Sequence, residues 1–389
     1  MKLNIGIIGM GFMGRAHSNA WSQLNKFFDT DVEICLKAVA VRDRTRGEAF
    51  AKKWGYEDVE TDWHALIARD DIDVVDILTP TNLHKEMAVE AMKAGKHVIC
   101  EKPCALTWQD CHEMAETARQ TGVVTYLNHN YRRVPAVALA KQMIEEGRIG
   151  KIYHYRGQYM QEWIMDEDFP LTWHLQKEIA GGGPLYDLSS HNVDLARYLV
   201  GEPTAVSASL RTIVKERPEA GAGAATFSAG TSSGGTAAKK PVTVDDAAFM
   251  VLDFENDIVG SVDSSRFAAG RKNYNCFEIY GSKGALCFNL ERMNELQYYD
   301  MEDPEHQGYR TILVTEGGHP YVGAWWPQGH IIGYEHTFVH AFRDFVEAVK
   351  TGGVMTPNFE DGEKIIKVLQ AAQISDAEGR KVSLDELTD

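Results

Sequence analysis

A carboxylate and an imidazole stand four residues apart near the middle of this chain, at Asp187 and His191. If a helix begins near Leu185, residues with this spacing share one helical face. Histidine is the side chain best matched to taking a proton near neutral pH, which the oxidation of an alcohol requires. The pair therefore fits proton transfer from a hydroxyl, although the same spacing also produces an ordinary hydrogen bond on a helix surface.

A glycine-rich turn follows the first apolar stretch of the chain, Ile5–Ile8, and precedes a helical pattern. Gly9 permits a tight turn, Gly11 lets the backbone approach a pyrophosphate, and Gly14 lets the helix pack closely on the strand. The helix N-terminus then offers unpaired N–H groups and a partial positive charge to phosphates. An incidental glycine turn is the alternative, but the context predicts a dinucleotide site formed by Gly9, Gly11, Phe12, Met13 and Gly14.

The end of the second predicted strand reads Val41-Arg42-Asp43, where a dinucleotide site touches the adenosine ribose. Asp43 can hold the ribose hydroxyls of NAD with Arg42 over the adenine, whereas Arg42 can instead pair with the 2′-phosphate of NADP. Val41 replaces the usual carboxylate and favours NADP. The sequence therefore predicts NAD or NADP and leaves the choice open.

Polar residues follow the third and fourth predicted strands. Thr79, Asn82 and His84 come after the third, and Glu101 and Lys102 come after the fourth. In open α/β sheets the ligand lies beyond the carboxyl ends of the strands, so these residues are candidates for one cofactor crevice. Lys102 becomes a candidate at the reacting end, although a lysine before a proline is far more often a solvated surface charge.

The order of predicted elements indicates two domains within the 389 residues. Strands and helices alternate through residues 1–130, which predicts a Rossmann domain with a doubly wound parallel sheet. Residues 131–389 predict an α+β domain with an open, mostly antiparallel sheet covered by helices on one face. Within it, residues 216–241 are rich in small residues and predict a long flexible loop. The uncovered sheet face predicts a homodimer or homotetramer.

Composition excludes several kinds of partner. The formal net charge of −16 argues against nucleic acid, whose phosphates require a basic face. No segment approaches the roughly 20 apolar residues that span a bilayer. The six cysteines form no C-x-x-C pair and the start lacks a signal-peptide pattern, so we expect a cytoplasmic protein. No histidine spacing matches a metal motif, and we predict no metal.

Taken together, Gly9–Gly14, Glu101-Lys102-Pro103 and Gly182-Gly183-x-x-x-Asp187-x-x-x-His191 resemble the family of glucose–fructose oxidoreductase, inositol dehydrogenase and rhizopine-catabolism proteins (Gfo/Idh/MocA). The segments 130–141, 161–163 and 196–202 are most similar to those of levoglucosan dehydrogenase-type sugar dehydrogenases. The resemblance covers nearly the whole chain. It implies a Rossmann domain and an open-sheet domain, with a carbohydrate or cyclitol bound in the cleft.

The resemblance also implies roles for single residues. Lys102 and Asp187 orient the hydroxyl while His191 acts as the base, and Lys102 can join the proton relay. Asn130 belongs with the cofactor-binding residues. Tyr131, Gln161 and Trp163 occupy positions that contact the sugar in relatives, and aromatic and amide groups suit a polyhydroxylated ring.

We therefore predict an NAD(P)-dependent dehydrogenase that oxidises a secondary hydroxyl of a sugar, anhydrosugar, glycoside or cyclitol, with C3 of a pyranose as the candidate position. Two other functions fit the same fold. One is a glycoside-cleaving enzyme whose cofactor is reduced and reoxidised within each turnover. The other is a nucleotide-sensing regulatory protein, which would have no reason to keep Lys102, Asp187 and His191.

Overall fold

The computed structural model describes residues 1–220 and 238–388. Contacts divide the chain into two compact units. The first contains Met1–Arg133 with Ile332–Lys364, and the second contains Val134–Ile331 with Ile365–Asp389. The sequence placed a division at residue 130, three residues before the end of the first segment. It gave no sign that 332–364 belong with the N-terminal residues, because no local pattern reports a contact so distant along the chain.

The first unit alternates strands and helices as the sequence predicts. Its elements are β1 (Lys2–Ile8), α1 (Phe12–Phe27), β2 (Glu33–Ala40), α2 (Arg44–Trp54), β3 (Asp58–Glu60), α3 (Trp63–Ile67), β4 (Val74–Ile77), α4 (His84–Lys93), β5 (His97–Cys100), α5 (Trp108–Thr121), β6 (Thr125–Leu127) and, near the C-terminus, α10 (His336–Thr351). The strands form one sheet in the order β3-β2-β1-β4-β5-β6, and every pair is parallel. The doubly wound Rossmann sheet is confirmed, and the structure adds β3 and α3 to the predicted elements.

The strand order explains where a ligand site forms in this unit. Ile5, Ile7 and Ile8 of β1 are buried on both faces of the sheet, as a central parallel strand requires. From β1 the chain runs outward to β2 and β3, and it then returns to β4 on the other side of β1. The carboxyl ends of β1 and β4 therefore flank the point where the winding reverses, which is where open α/β sheets bind ligands.

The second unit contains a nine-stranded sheet and several helices. Its elements are α6 (Pro135–Glu145), β7 (Ile152–Met160), α7 (Lys177–Ala180), α8 (Pro184–Asp187), α9 (Ser189–Leu199), β8 (Pro203–Arg211), β9 (Glu216–Pro218), β10 (Lys239–Pro241), β11 (Ala247–Phe254), β12 (Val259–Ser265), β13 (Tyr274–Gly281), β14 (Gly284–Asn289), β15 (Glu295–Asp300), β16 (Arg310–Leu313) and β17 (Val382–Ser383). Helix α11 (Phe359–Glu378) begins in the first unit and continues into the second.

The large sheet has the order β16-β15-β14-β13-β7-β12-β11-β8-β17, and within it β7 and β12 alone pair in parallel. Helices α6, α8 and α9 pack on one face. That face is apolar: Tyr155 and Phe277 are fully buried, with ring centroids 6.5 Å apart. The predicted mostly antiparallel sheet with helices on one face is confirmed.

The predicted loop at 216–241 is wrong at both of its ends. Glu216–Pro218 and Lys239–Pro241 pair as the antiparallel strands β9 and β10, because Arg217 is fully buried and anchors the first of them. Its guanidinium donates 2.6 Å hydrogen bonds to the carbonyls of Ile164 and Asp166. The middle of the predicted loop, 221–237, lies outside the described residues.

Candidate active site

The glycine turn between β1 and α1 has the geometry that a dinucleotide site needs. Gly9 has φ of +114°, and a Cβ there would lie 2.8 Å from the carbonyl oxygen of Leu78. A Cβ at Gly14 would lie 2.8 Å from the carbonyl oxygen of Gly9. Around Gly11, by contrast, no atom of the described residues lies within 4 Å of such a Cβ. The turn is therefore closed on the protein side and open at Gly11, where a pyrophosphate can approach the backbone.

Helix α1 begins directly at this turn and leaves its N-terminus available for an anion. Its N-cap residue is Gly11, which has no side chain to bond the first N–H groups, and the first turn carries no acidic residue. Phe12 is 47% exposed and stacks on Tyr334, with ring centroids 6.4 Å apart. The residues present thus fit a nucleotide pyrophosphate at Gly11, Phe12 and Met13.

Arg42 and Asp43 follow β2 and are both exposed. The Asp43 carboxylate accepts a hydrogen bond of 3.1 Å from the backbone N–H of Arg46 and so caps helix α2. A carboxylate has two oxygens, so this bond leaves Asp43 able to accept from a ribose hydroxyl. Both arrangements that the sequence left open remain compatible with these positions.

The segments after β4 and β5 are tied to each other through His84. Its Nδ1 lies 2.9 Å from the carbonyl oxygen of Pro103, and its Nε2 lies 2.9 Å from that of Thr79. Asn82 is exposed between them, and Thr79 and Lys102 are half-buried. The structure therefore brings the predicted residues after these two neighbouring strands together at one edge of the sheet.

Glu101 is buried and receives three hydrogen bonds. His17 Nε2 and Asn128 Nδ2 lie 2.9 Å and 2.5 Å from its Oε1, and the backbone N–H of Lys102 donates to its Oε2 at 3.2 Å. Burial raises the pKa of the Glu101 carboxyl, but His17, Asn128 and the charge of Lys102 lower it by more, and it lies below its ordinary value. Glu101 is therefore an anion that is engaged by the protein itself.

Asn130 and Tyr131 follow β6 and are buried in the first unit. Asn130 Nδ2 donates a hydrogen bond of 2.7 Å to Thr337 Oγ1. The Tyr131 ring meets Tyr334 edge-on at 6.3 Å, and Tyr334 is also the residue that stacks on Phe12. Sequence reasoning missed Tyr334, since it lies about 200 residues further along the chain.

In the second unit, the predicted single helix across Asp187 and His191 is wrong. Helix α8 ends at Asp187 and helix α9 begins at Ser189, with Leu188 between them. The start of α8 is fixed by the buried Asp245, whose two carboxylate oxygens each accept a 2.8 Å hydrogen bond, from the N–H groups of Gly183 and Leu185. Burial raises the pKa of Asp245 by more than these bonds lower it.

Asp187 is held by an arginine that the sequence analysis did not find. Arg266, directly after β12, is fully buried and donates from Nη2 to Asp187 Oδ2 at 2.7 Å. Its guanidinium carbon also lies 5.3 Å from the centroid of the Trp163 ring. Because the Asp187 side chain is 28% exposed, this carboxylate has a buried cation on one side and remains accessible on the other.

The remaining predicted residues of this unit are joined through Asn273. Its Oδ1 accepts from the hydroxyl of Tyr159 at 2.7 Å and from Nε2 of Gln161 at 2.9 Å. Gln161 Oε1 accepts from the indole N–H of Trp163 at 2.8 Å, and the Tyr159 ring lies 5.8 Å from the ring of His191. The structure thus connects His191, Gln161, Trp163 and Asp187, all of which the sequence singled out, through Tyr159, Asn273 and Arg266.

The described residues contain neither a metal-binding cluster nor a membrane-spanning helix. No cluster of three histidine, cysteine or acidic side chains capable of holding a metal ion occurs within residues 1–220 and 238–388. Among the same residues, no helix is both long and apolar enough to cross a membrane.

Comparison with known proteins gives matches along nearly the whole chain. Residues 3–129 match the oxidoreductase family with an NAD-binding Rossmann fold, and residues 137–287 match the GFO/IDH/MocA C-terminal domain. Levoglucosan dehydrogenase of Pseudarthrobacter phenanthrenivorans is 42% identical over 390 residues, covering 100% of this chain and 99% of that protein. D-glucoside 3-dehydrogenase of Escherichia coli is 27% identical over 85% of this chain and 92% of its own length.

Comparison with solved structures points to the same family. A levoglucosan dehydrogenase in complex with NADH and levoglucosan superposes with a TM-score of 0.92 at 41% identity, covering 99% of this chain and 100% of that one. The resemblance noted from the motifs is confirmed: this chain belongs to the Gfo/Idh/MocA family of NAD-binding oxidoreductases.

Proposed function

We propose that this enzyme transfers hydride reversibly between a nicotinamide cofactor and a secondary hydroxyl of a sugar, anhydrosugar, glycoside or cyclitol. The observation that carries the proposal is the connected network of the second unit, which combines an indole face, two amides, a carboxylate and an imidazole. A pyranose requires an aromatic surface for its C–H groups and paired donors and acceptors for its hydroxyls. The names of the two relatives, an anhydrosugar dehydrogenase and a glucoside 3-dehydrogenase, support this class and the C3 position.

The residues of the two units have separate roles. When bound, the cofactor supplies the hydride acceptor. His191 takes the hydroxyl proton, and Asp187 and Lys102 orient the hydroxyl, with Lys102 able to pass the proton on. Arg266 keeps Asp187 in one position and supplies the opposite charge that a largely buried carboxylate needs.

The direct test is the absorbance of reduced cofactor against a panel of anhydrosugars, glycosides, free sugars and cyclitols. We expect reduction of the cofactor with at least one anhydrosugar or glycoside. Product formation without net reduction would identify the glycoside-cleaving alternative. Cofactor binding without turnover of any compound would favour the regulatory alternative and refute the dehydrogenase.

Two variants test the assigned roles. Lys102→Ala and His191→Ala should each lower kcat by about 100-fold or more, since both remove a proton-handling group, while NADH binding persists. Exposed residues of the same type provide matched controls: Lys93→Ala in the first unit and His306→Ala in the second should retain full activity. Full activity of either test variant would contradict the proposed mechanism.

We propose NAD(H) as the cofactor of this chain, bound by the first unit, with the substrate bound by the second. The similar structure that contains NADH supports this choice, as does the carboxylate of Asp43, three residues after the end of β2. The ratio of kcat/KM for NAD to that for NADP should be about 10 or more, the difference expected for an unpaired phosphate. The opposite preference would assign Arg42 to the 2′-phosphate. Asn130, Thr79, Asn82 and His84 complete the proposed cofactor-binding set.

We also propose a homodimer or homotetramer that forms through the uncovered face of the large sheet. Phe249, Val251 and Val259 are 47%, 52% and 46% exposed on the face opposite to the helices. Apolar side chains exposed side by side on adjacent strands are typical of a subunit interface. Light scattering coupled to gel filtration measures the mass, and Val251→Glu should shift it towards a monomer.

We also propose a cytoplasmic location. The six cysteines are all unpaired thiols, which supports it.

A further inference from the structure

His17 is a fully buried histidine that the mechanism above does not use. It lies in α1, three residues after Gly14, and its ring packs against two aromatic rings of α10. The ring centroids of Phe338 and Phe342 lie 5.4 Å and 5.0 Å from that of His17. Apolar packing of this kind does not explain why this residue is a histidine. The explanation lies in the contacts of its two ring nitrogens.

Both ring nitrogens of His17 face carboxylates. Nδ1 lies 3.0 Å from each oxygen of Asp76, and Nε2 lies 2.9 Å from Oε1 of Glu101. A neutral imidazole has a single N–H and can donate to one acceptor, whereas the imidazolium donates from both nitrogens. With a carboxylate on each side the geometry favours the cation, although Nε2 also lies 2.9 Å from the amide nitrogen of Asn128. Burial alone would lower the pKa of His17, but the two carboxylates raise it from 6.5 to about 9.

Other donors also hold the two carboxylates in place. The indole N–H of Trp21 donates to Asp76 Oδ2 at 3.0 Å, and Asn128 donates to Glu101. Together with Lys102, the groups form an alternating series of charges in the order Asp76, His17, Glu101 and Lys102, and the charges of this series sum to zero. Removal of the histidine would leave two anions close together in the interior.

The series leads to the backbone of Lys102. Glu101 Oε2, the oxygen not bonded to His17, accepts the N–H of Lys102, and His84 holds the carbonyl of Pro103 on the other side. The turn that carries Lys102 is thus fixed on both sides by buried side chains. On the Glu101 side, the orientation of the carboxylate is held by His17 and Asn128, and of these two His17 alone carries a charge.

We propose that His17 is a positioning residue for Lys102, because its imidazolium fixes the Glu101 carboxylate and thereby the backbone from which the Lys102 side chain projects. The catalytic part of this inference rests on the proposed dehydrogenase function. The structural part, the placement of Lys102, does not.

The test compares two variants that both carry Asp76→Asn and differ only at residue 17. Asp76→Asn keeps the His17–Glu101 bond and reduces the buried negative charge. The double variant H17Q/D76N removes one positive and one negative charge together, so it does not leave an extra anion in the interior. We expect Asp76→Asn to retain kcat within about 3-fold, and the double variant to lose about 10-fold or more of kcat per NADH-binding site, since small misplacements of a reacting group cost up to about 100-fold.

The KM of the sugar and the melting temperature distinguish a positioning role of His17 from a purely structural one. If His17 positions Lys102, the dissociation constant of NADH and the KM of the sugar change little while kcat falls. If His17 only supports the fold, the melting temperature falls and kcat per NADH-binding site does not. Equal kcat in the two variants would overturn the proposal.

A second measurement needs no substrate. Competitive acetylation followed by mass spectrometry gives the reactivity of single lysines, with Lys93 as an exposed control in the same unit. The reactivity of Lys102 should differ between Asp76→Asn and the double variant, and that of Lys93 should not. Identical Lys102 reactivity refutes the positioning role even if no sugar is turned over, so the failure of this inference and that of the proposed function are distinguishable. If Asp76→Asn does not fold, the wild-type protein and His17→Gln are compared instead, with the same readouts.

Discussion

The charge of His17 makes the stability of the first unit depend on pH. A group whose pKa is higher in the folded protein than in the unfolded chain stabilises the fold while it is protonated, and this contribution is complete below the unfolded pKa. For His17 the two values are about 9 and 6.5. The contribution is therefore about three quarters of its full value at pH 7 and disappears as the pH rises through 9. With about 1.36 kcal/mol for each unit, it amounts to about 2.5 kcal/mol at pH 7 and almost nothing at pH 10.

The measurement is the melting temperature at pH 7 and pH 10, at constant ionic strength, for the wild-type protein and His17→Gln. One kcal/mol corresponds to about 2–4 °C for a unit of this size, so the wild-type protein should lose about 5–10 °C more than the variant does. His340 is the matched control, because it is also fully buried in this unit but bonds a backbone carbonyl, and burial lowers its pKa to about 3. His340→Gln should keep the wild-type pH dependence. Equal losses in the wild-type protein and His17→Gln would refute the assignment of the cation.

Three further predictions concern the glycine turn and the network of the second unit. Gly14→Ala should lower the melting temperature because its Cβ meets the carbonyl of Gly9, whereas Gly11→Ala should leave the melting temperature unchanged and weaken NADH binding by about 10-fold, as fluorescence titration measures. Arg266→Met leaves the Asp187 carboxylate without its cation and should lower kcat by about 10-fold or more without changing NADH affinity; an unchanged kcat would remove Arg266 from the site. Asn273→Ala should raise the KM for the sugar by about 10-fold, while Asn273→Asp keeps both hydrogen bonds to the oxygen and should restore it; equal KM values in the two variants would contradict the positioning role of Asn273.

The first unit was largely predictable because its signals are local. The predicted strands are short apolar runs, most of them buried on both faces, and the following helices show their own periodicity. The glycine turn and the residues after β4 and β5 lie at strand ends, so the rule for parallel sheets placed them at one edge. That residues 332–364 belong to the first unit could not be predicted from the sequence. Their contacts there, of Tyr334 with Phe12 and Tyr131 and of Thr337 with Asn130, span about 200 residues of sequence or more.

The second unit was predictable in its type of sheet but not in its connections. Alternating segments indicated antiparallel strands, yet the spacing of Asp187 and His191 suggested one helix where the structure has two. The start of the first helix also depends on a distant residue, Asp245, whose carboxylate binds the N–H groups at the start of α8. That contact joins residues 62 positions apart, and no periodicity within residues 181–191 could reveal it.

In both units, a carboxylate recognised from its motif is paired with a fully buried cation. Arg266 lies behind Asp187, and His17 lies behind Glu101. A carboxylate at the edge of the protein interior must be compensated by charge, and a rigid partner also fixes its direction. These cations do not stand out in the sequence, because a lone histidine in α1 and a lone arginine after β12 are ordinary residues by type and spacing. Loss of either cation would therefore be mistaken for a folding defect unless activity is expressed per NADH-binding site, which separates a misplaced catalytic group from a smaller amount of folded enzyme.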